Sequence, residues 1–451
     1  MPDDRGPRER PRARRRGLAR LIPRRRGVQI ALVVLVLAIV GAAIGGYIYE
    51  KNRTGSIYHP HARFFPQPSP TLPAKGPDRF AWPLYGYNPE HTRYFPAPAS
   101  VRPPFRKVWV HNEGGLLEFP PVIYGDHLFQ LADNAQLTAL NRHTGHTFWV
   151  RHLGVLSAST PAVNATTVYA TVLSTGNSAG PGRIWALNYK TGQTRWVHSL
   201  ASPSESSPLL VGERLYFGSQ SGTVYALNAR SGHVLWTYHA SGSVKASPTL
   251  FNSDLYFGDY SGHVQAVSAR TGRLVWRSSS EGAVFGSGTF YSTSAVEYGR
   301  VFLGNTDGRV YAYDAYSGHL DWAVQTGAYV YSSPAVTNAP NAGPTVYVGS
   351  YDGTFYALNA RTGQVRWKFG THGRISGSPT IIGRIVYFAD LGEKAAYGLG
   401  VSTGRVVVRF QRGTFDPVIS DSQKIFFTGS SGIYGLAPTD NPKLVTTLPP
   451  H

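Results

Sequence analysis

Apolar and polar positions alternate along most of the chain. Residues 205–239 read "ESSPLLVGERLYFGSQSGTVYALNARSGHVLWTYH", where short apolar runs are broken by Gly, Ser, Asn and Arg. A period of two marks a strand with differently buried faces, and no 3.6-residue period appears in this region. The spacing predicts four strands here: a short inner one at "SSPLLV", a second at "RLYFGS", a third at "TVYALNA" and an outer one at "HVLWTY". The turns "QSG" and "RSG" separate the last three, with Gly supplying the positive φ that other residues resist.

The phrase "VYALNARSGHVLW" (224–236) returns as "FYALNARTGQVRW" (355–367) and "VQAVSARTGRLVW" (264–276). Its Ser/Thr-Gly glycines are Gly145, Gly192, Gly232, Gly272, Gly318, Gly363 and Gly404, spaced 47, 40, 40, 46, 45 and 41 residues apart. That is the size of a four-stranded propeller blade. Third strands occur eight times, around Ala139, Ala186, Ala226, Ala266, Ala312, Ala357, Gly398 and Gly435. Outer strands after these turns number seven, six with Trp (Trp149, Trp196, Trp236, Trp276, Trp322, Trp367) and one with Val408. The missing outer strand is available upstream at "FRKVWV", around Trp109, so both chain ends complete one blade and leave no free sheet edge. The expected fold class is all-β: an eight-bladed β-propeller, with seven blades as the alternative.

The N-terminus breaks this pattern. Residues 28–49, "VQIALVVLVLAIVGAAIGGYIY", run without a charge. At about 1.5 Å per residue they span about 30 Å as a helix, the thickness of a bilayer core. Residues 1–27 hold eleven Arg against three acidic residues, so the positive-inside rule keeps this end in the cytoplasm and exports the chain beyond Tyr49. A cleavable signal peptide is the rival, with Gly41, Ala42 and Ala43 offering a cleavage site. The expected organisation is a basic cytoplasmic tail (1–27), a transmembrane signal-anchor helix (28–49), a Pro-rich linker (50–80), the propeller (81–440) and a C-terminal tail (441–451). The expected place is the cell membrane, crossed once, with the propeller extracytoplasmic.

Composition narrows the chemistry. The net charge is +19, of which +8 sits in residues 1–27; the remainder is dispersed, which argues against specific nucleic-acid binding. Cysteine is absent, which removes disulfides, thiolate nucleophiles, thiolate-bound zinc and an acylated cysteine anchor. No "GxSxG", "HExxH" or phosphate-cradling Gly loop is present.

"YALNARTGQVRW" (356–367) is similar to the repeat of pyrroloquinoline-quinone (PQQ)-type β-propellers, and "WPLYGYNPEHTRY" (82–94) resembles the segment that often opens such domains. The likeness covers roughly residues 81–437. The family holds quinone-dependent alcohol and glucose dehydrogenases and also non-enzymatic scaffolds such as the outer-membrane assembly factor BamB. The resemblance implies, for an enzyme, a calcium or lanthanide held by carboxylate and amide oxygens and a catalytic Asp. The acidic residues most visible in the repeats, Asp133, Asp259, Asp307 and Asp352, fall instead in second-to-third-strand turns, which Asp favours through local hydrogen bonds. The expectation is therefore no catalytic, cofactor or metal residue, and neither PQQ nor Ca²⁺ bound.

Function is sought where the repeats differ. The segments leading into the inner strands read "SASTP", "SESSP", "VKASP", "VFGSG", "VYSSP" and "ISGSP". Three residues before the Pro, or before Gly288 in its place, stand Ala158, Glu205, Lys245, Phe285, Tyr331 and Ser376. Glu205, Lys245, Phe285, Tyr331 and Ser376 form the candidate partner-binding rim. Two insertions, "STGNSAGPGR" (174–183) and "TNAPNAGPT" (337–345), also lie near the rims. The leading reading is a membrane-anchored, monomeric, non-catalytic scaffold that binds a protein partner at the cell envelope. The alternatives are a PQQ-dependent alcohol or sugar dehydrogenase, and an envelope sensor or polysaccharide-binding module.

Overall fold

The structure is a computed structural model that describes residues 22–52, 56–59, 62–65, 80–174, 181–281 and 288–445. It divides into one unit ending at Arg53 and a second beginning at Thr54. The first is a single helix, Ile22–Asn52. Its Gly27–Gly46 stretch has a mean hydropathy of 2.7 and is long and apolar enough to cross a membrane, as a signal or as an anchor. Val, Ile and Leu surround the helix on all sides instead of forming one stripe, so it has no polar face.

The second unit is an eight-bladed β-propeller of antiparallel four-stranded blades. Blades 1 to 7 span residues 122–152, 162–199, 209–239, 249–279, 295–325, 335–370 and 380–410. Blade 8 combines Val418–Ser420, Ile425–Thr428 and Gly432–Pro438 with Phe105–Asn112 from the other end of the domain. Gly435 pairs with Trp109 in that closure, as expected from the sequence.

One side-chain set fixes all but one of the joins between blades. Each third-strand Ala lies opposite the outer-strand Trp, as Ala226 opposite Trp236, and the register then shifts by a bulge. The Trp ring leaves its own blade and covers the Ser/Thr-Gly turn of the next. Gly232 has φ +75°, and a Cβ there would stand 2.7 Å from Trp196 Cε3, so both conformation and space demand glycine. The indole N–H then donates to a carbonyl of the same turn region. The pairs are Trp109–Arg142, Trp149–Tyr189, Trp196–Ala229, Trp236–Ala269, Trp276–Ala315, Trp322–Ala360 and Trp367–Val401, at 2.9–3.1 Å. Between blades 7 and 8, where Val408 replaces Trp, Phe410 packs on Phe427 at 4.7 Å.

The chain before blade 1 is tied to the propeller at two places. Ile57 and Tyr58, in the stretch expected as a spacer, pair with Ala323 and Trp322 and add a fifth strand outside blade 5. Phe64 and Phe65 come next, stacking on Tyr298 and against Tyr316. The blade 5 outer strand is consequently buried from Asp321 to Val324, whereas in blade 3 Val234 and Leu235 are exposed. Residues 82–95 then circle the channel at its lower end. Amides of five inner strands, those of blades 2, 4, 5, 6 and 7 (Val163, Leu250, Val296, Val336, Ile381), donate to the carbonyls of Pro83, Pro89, Glu90, Thr92 and Arg93 at 2.8–2.9 Å. The same segment contributes short strands beside the inner strands of blades 1 and 7. This ring converts the axial channel into a funnel closed at one end.

Candidate functional site

The inner strands begin around the open end of the funnel. In blade 5 Ser294, not Gly288, occupies the position of the lead-in proline, because the inner strand is Ala295–Glu297. The variable position of that blade is therefore Tyr291. "YSTSAV" at 291–296 matches "YSSPAV" at 331–336, and this pairing was the signal available in the sequence. Phe285 lies outside the described residues, as does most of the 174–183 insertion. The 337–345 insertion lengthens the first hairpin of blade 6, pairing Thr337 with Thr345 and Ala339 with Gly343, and this turn points away from the funnel mouth.

With that correction the eight variable positions are Glu118, Ala158, Glu205, Lys245, Tyr291, Tyr331, Ser376 and Thr414. Six of them, all but Ala158 and Thr414, line one axial cavity of about 100 Å³ together with Tyr85 and Asp416. Four of the five rim residues expected from sequence are thus brought together: Glu205, Lys245, Tyr331 and Ser376. Glu118 was missed because Pro120 and Pro121 obscure its lead-in, and Tyr291 because Ser replaces Pro.

A belt of hydroxyls holds this ring. The residue just before the lead-in proline accepts the equivalent amide of the preceding blade: Thr160 to Ser207, Ser247 to Thr293, Thr293 to Ser333 and Ser333 to Ser378, at 2.9–3.1 Å. Ser378 N–H continues the belt by donating to the Asp416 carboxylate. Small polar residues are required here because the strands converge and their amides have no ladder partner.

Charge at the site is largely paired internally. Lys245 Nζ lies 2.7 Å from Glu205, which also accepts from Gln220 Nε2 at 2.6 Å, and Lys245 sits 5.1 Å from the Tyr260 ring centre. Burial, with the nearby charges of Asp133 and Glu205, raises the Glu118 carboxyl above its ordinary value. At the floor, Arg93 is buried with its guanidinium 3.9 Å from the Tyr85 ring centre and 3.8 Å from Asp416. Burial raises the Asp416 carboxyl, against the pull of Arg93. Burial, aided by Arg93, lowers the His91 imidazole to about 3, so the ring is neutral, with Nδ1 3.0 Å from the Thr249 hydroxyl.

The four turn carboxylates do local work. Asp259 accepts from the amides of Ser261 and His263, Asp307 from Arg309, Asp352 from Thr354, and Asp133 from Leu116, at 2.7–3.1 Å. Among the described residues no three His, Cys, Asp or Glu side chains stand close enough together to hold a metal ion.

Known proteins share this repeat. The profile of the family described as "Outer membrane protein assembly factor BamB" matches residues 106–262, 182–322 and 260–432, which overlap into most of the chain. The chain belongs to this family of PQQ-like propellers. Among curated proteins none matches it by sequence. BamB from Moraxella catarrhalis superposes with a TM-score of 0.60 at 18% identity, over 74% of this chain and 99% of that one. A europium-containing methanol dehydrogenase gives 0.66 at 14% identity, over 80% and 98%. The quinohemoprotein alcohol dehydrogenase ADHIIG from Pseudomonas putida HK5 gives 0.69 at 14% identity, over 83% and 82%. At these identities the likeness concerns the fold.

The fold shared with these dehydrogenases raises the question of a quinone. An anionic tricyclic quinone held through a divalent cation needs cations for its own charges and oxygen ligands for the metal. The funnel offers Lys245, already paired with Glu205, and Arg93, held beneath Tyr85 by Asp416. The carboxyls of Glu118, Glu205 and Asp416 also line the cavity, but no three described carboxyl or imidazole groups stand together to hold the cation. The residues present do not fit such a group.

Proposed function

We propose that the protein is a non-catalytic scaffold, anchored in the cell membrane by residues 28–49 with residues 1–27 in the cytoplasm and the 81–440 propeller outside. It presents the funnel mouth to a protein partner at the cell envelope. The observation that carries this reading is the ring of variable positions. A repeat that keeps its joins, turns and hydroxyl belt nearly uniform places Glu118, Glu205, Lys245, Tyr291, Tyr331 and Ser376 around one opening. Rigid support with differing tips is the arrangement of a recognition surface. Membership of the BamB-type family supports it, and the internal pairing of Lys245 and Arg93 speaks against the dehydrogenase alternative.

The test of that alternative is direct. Purified full-length protein in detergent is titrated with PQQ and Ca²⁺ while absorbance and dye-linked alcohol and sugar oxidation are monitored. The scaffold reading expects neither stoichiometric binding nor turnover. Stoichiometric quinone binding with turnover would overturn it.

A further inference from the structure

The tyrosines of this protein fall into two classes. Tyr169, Tyr216, Tyr256 and Tyr347 are buried at blade joins, and each hydroxyl donates to a carbonyl farther along the ring at 2.9–3.1 Å. That is the ordinary behaviour of a buried phenol. Tyr291, Tyr329, Tyr331 and Tyr351 differ. They gather on the blade 5–7 side of the mouth, with ring centres 4.9–6.5 Å apart and most pairs edge to face. With Ala328, Arg374 and Ser376 they wall an open depression of about 500 Å³.

Two of their hydroxyls are free and two make only long bonds. The hydroxyls of Tyr329, a residue 53% exposed, and of Tyr331 have no hydrogen-bond partner among the described residues. Tyr351 to Ser376 and Tyr291 to Glu205 are both 3.5 Å, at the limit of a bond. Arg374 is exposed, lies with its guanidinium 5.6 Å from the Tyr351 ring centre, and has no carboxylate in ion-pair range among the described residues.

A purely apolar ligand gains nothing from the two free phenols of Tyr329 and Tyr331, and a ligand without ring faces leaves the rings wet. A saccharide offers both an apolar C–H face for the rings and hydroxyls for the phenols. The free guanidinium adds a demand for a planar anion, which a carboxylate meets with two parallel bonds. From residue 81 onward the chain carries 28 Lys and Arg against 20 Asp and Glu, a field that favours an anionic polymer. We propose that this depression binds a short stretch of acidic polysaccharide, with hexuronate rings against Tyr329, Tyr331 and Tyr351 and a carboxylate on Arg374. The inference goes beyond the scaffold reading: the protein holds an envelope glycan in the tyrosine-walled depression beside the cavity that Glu205 and Lys245 line.

The test is calorimetric titration of the full-length protein in detergent with tetragalacturonate, a neutral glucose tetramer and a short oligoglutamate. Binding of the uronate in preference to the other two is expected, weakened about tenfold or more by Tyr329→Ala and by Arg374→Ala. Arg374→Lys should restore part of the loss. Both side chains are exposed, so unchanged thermal unfolding shows that the variants are folded. No uronate binding, equal binding by the variants, equal affinity for the neutral sugar, or preference for oligoglutamate would each overturn the proposal. The last would make the site one for acidic peptides. None of these results overturns the scaffold reading, which rests on the whole ring of variable positions and is tested separately by the quinone titration.

Discussion

The blade joins and the funnel mouth are built from the same repeat and use its aromatic residues in opposite ways. At the joins each Trp lies over a glycine turn and each indole N–H is bonded, seven times at 2.9–3.1 Å. At the mouth the tyrosines meet one another, and the hydroxyls of Tyr329 and Tyr331 have no partner among the described residues. Satisfied, uniform groups hold the ring, and unsatisfied, variable groups face outward. The difference teaches where substitution should cost stability and where it should cost only binding.

The largest effect is expected at a join. Trp322 is 1% exposed, covers Gly363 and donates to Ala360. Trp322→Ala should cost about 3–5 kcal/mol in chemical denaturation, from the cavity and the lost bond. Gly232→Ala combines a positive φ with a close approach of Trp196, and should cost about 1–3 kcal/mol. Tolerance of either change would break the comparison at its stable end.

The plug beneath the funnel gives a pH test. Burial and Arg93 keep His91 neutral down to about 3, whereas in the unfolded chain it takes up a proton near 6.5. The stability this contributes is complete above pH 6.5 and is lost as pH falls toward 3. By pH 5 the loss is about 2 kcal/mol, and His91→Asn should remove it from the difference between unfolding at pH 7 and pH 5. Asn tolerates the left-handed backbone at this position (φ +49°). The smallest stability effect belongs to the mouth, where Tyr329→Ala should shift unfolding by less than about 0.5 kcal/mol. A large loss there would mean that the tyrosine cluster is structural after all.

The sequence made the joins legible because a Trp, a glycine and an alanine recur at fixed spacing, and it made the closure legible because Trp109 was left without a turn of its own. The mouth was legible in part. Glu205, Lys245, Tyr331 and Ser376 emerged from the lead-in proline, but Ser294 replaces that proline in blade 5 and displaced the reading to Phe285. The plug and the blade 5 strap were not legible. The plug is held mainly through its carbonyls, which leave no side-chain pattern, and a two-residue strand such as Ile57–Tyr58 carries no periodicity.

The central claim is that the mouth, and not the outer surface of the blades, is where the protein meets its partner. A photocrosslinking amino acid placed at Lys245 in intact membranes tests this most directly, compared with one at Leu235, an outer-strand residue that is 45% exposed. A discrete crosslinked protein adduct from position 245 and none from 235 is predicted. No adduct from 245, or the same adduct from both, would contradict the account.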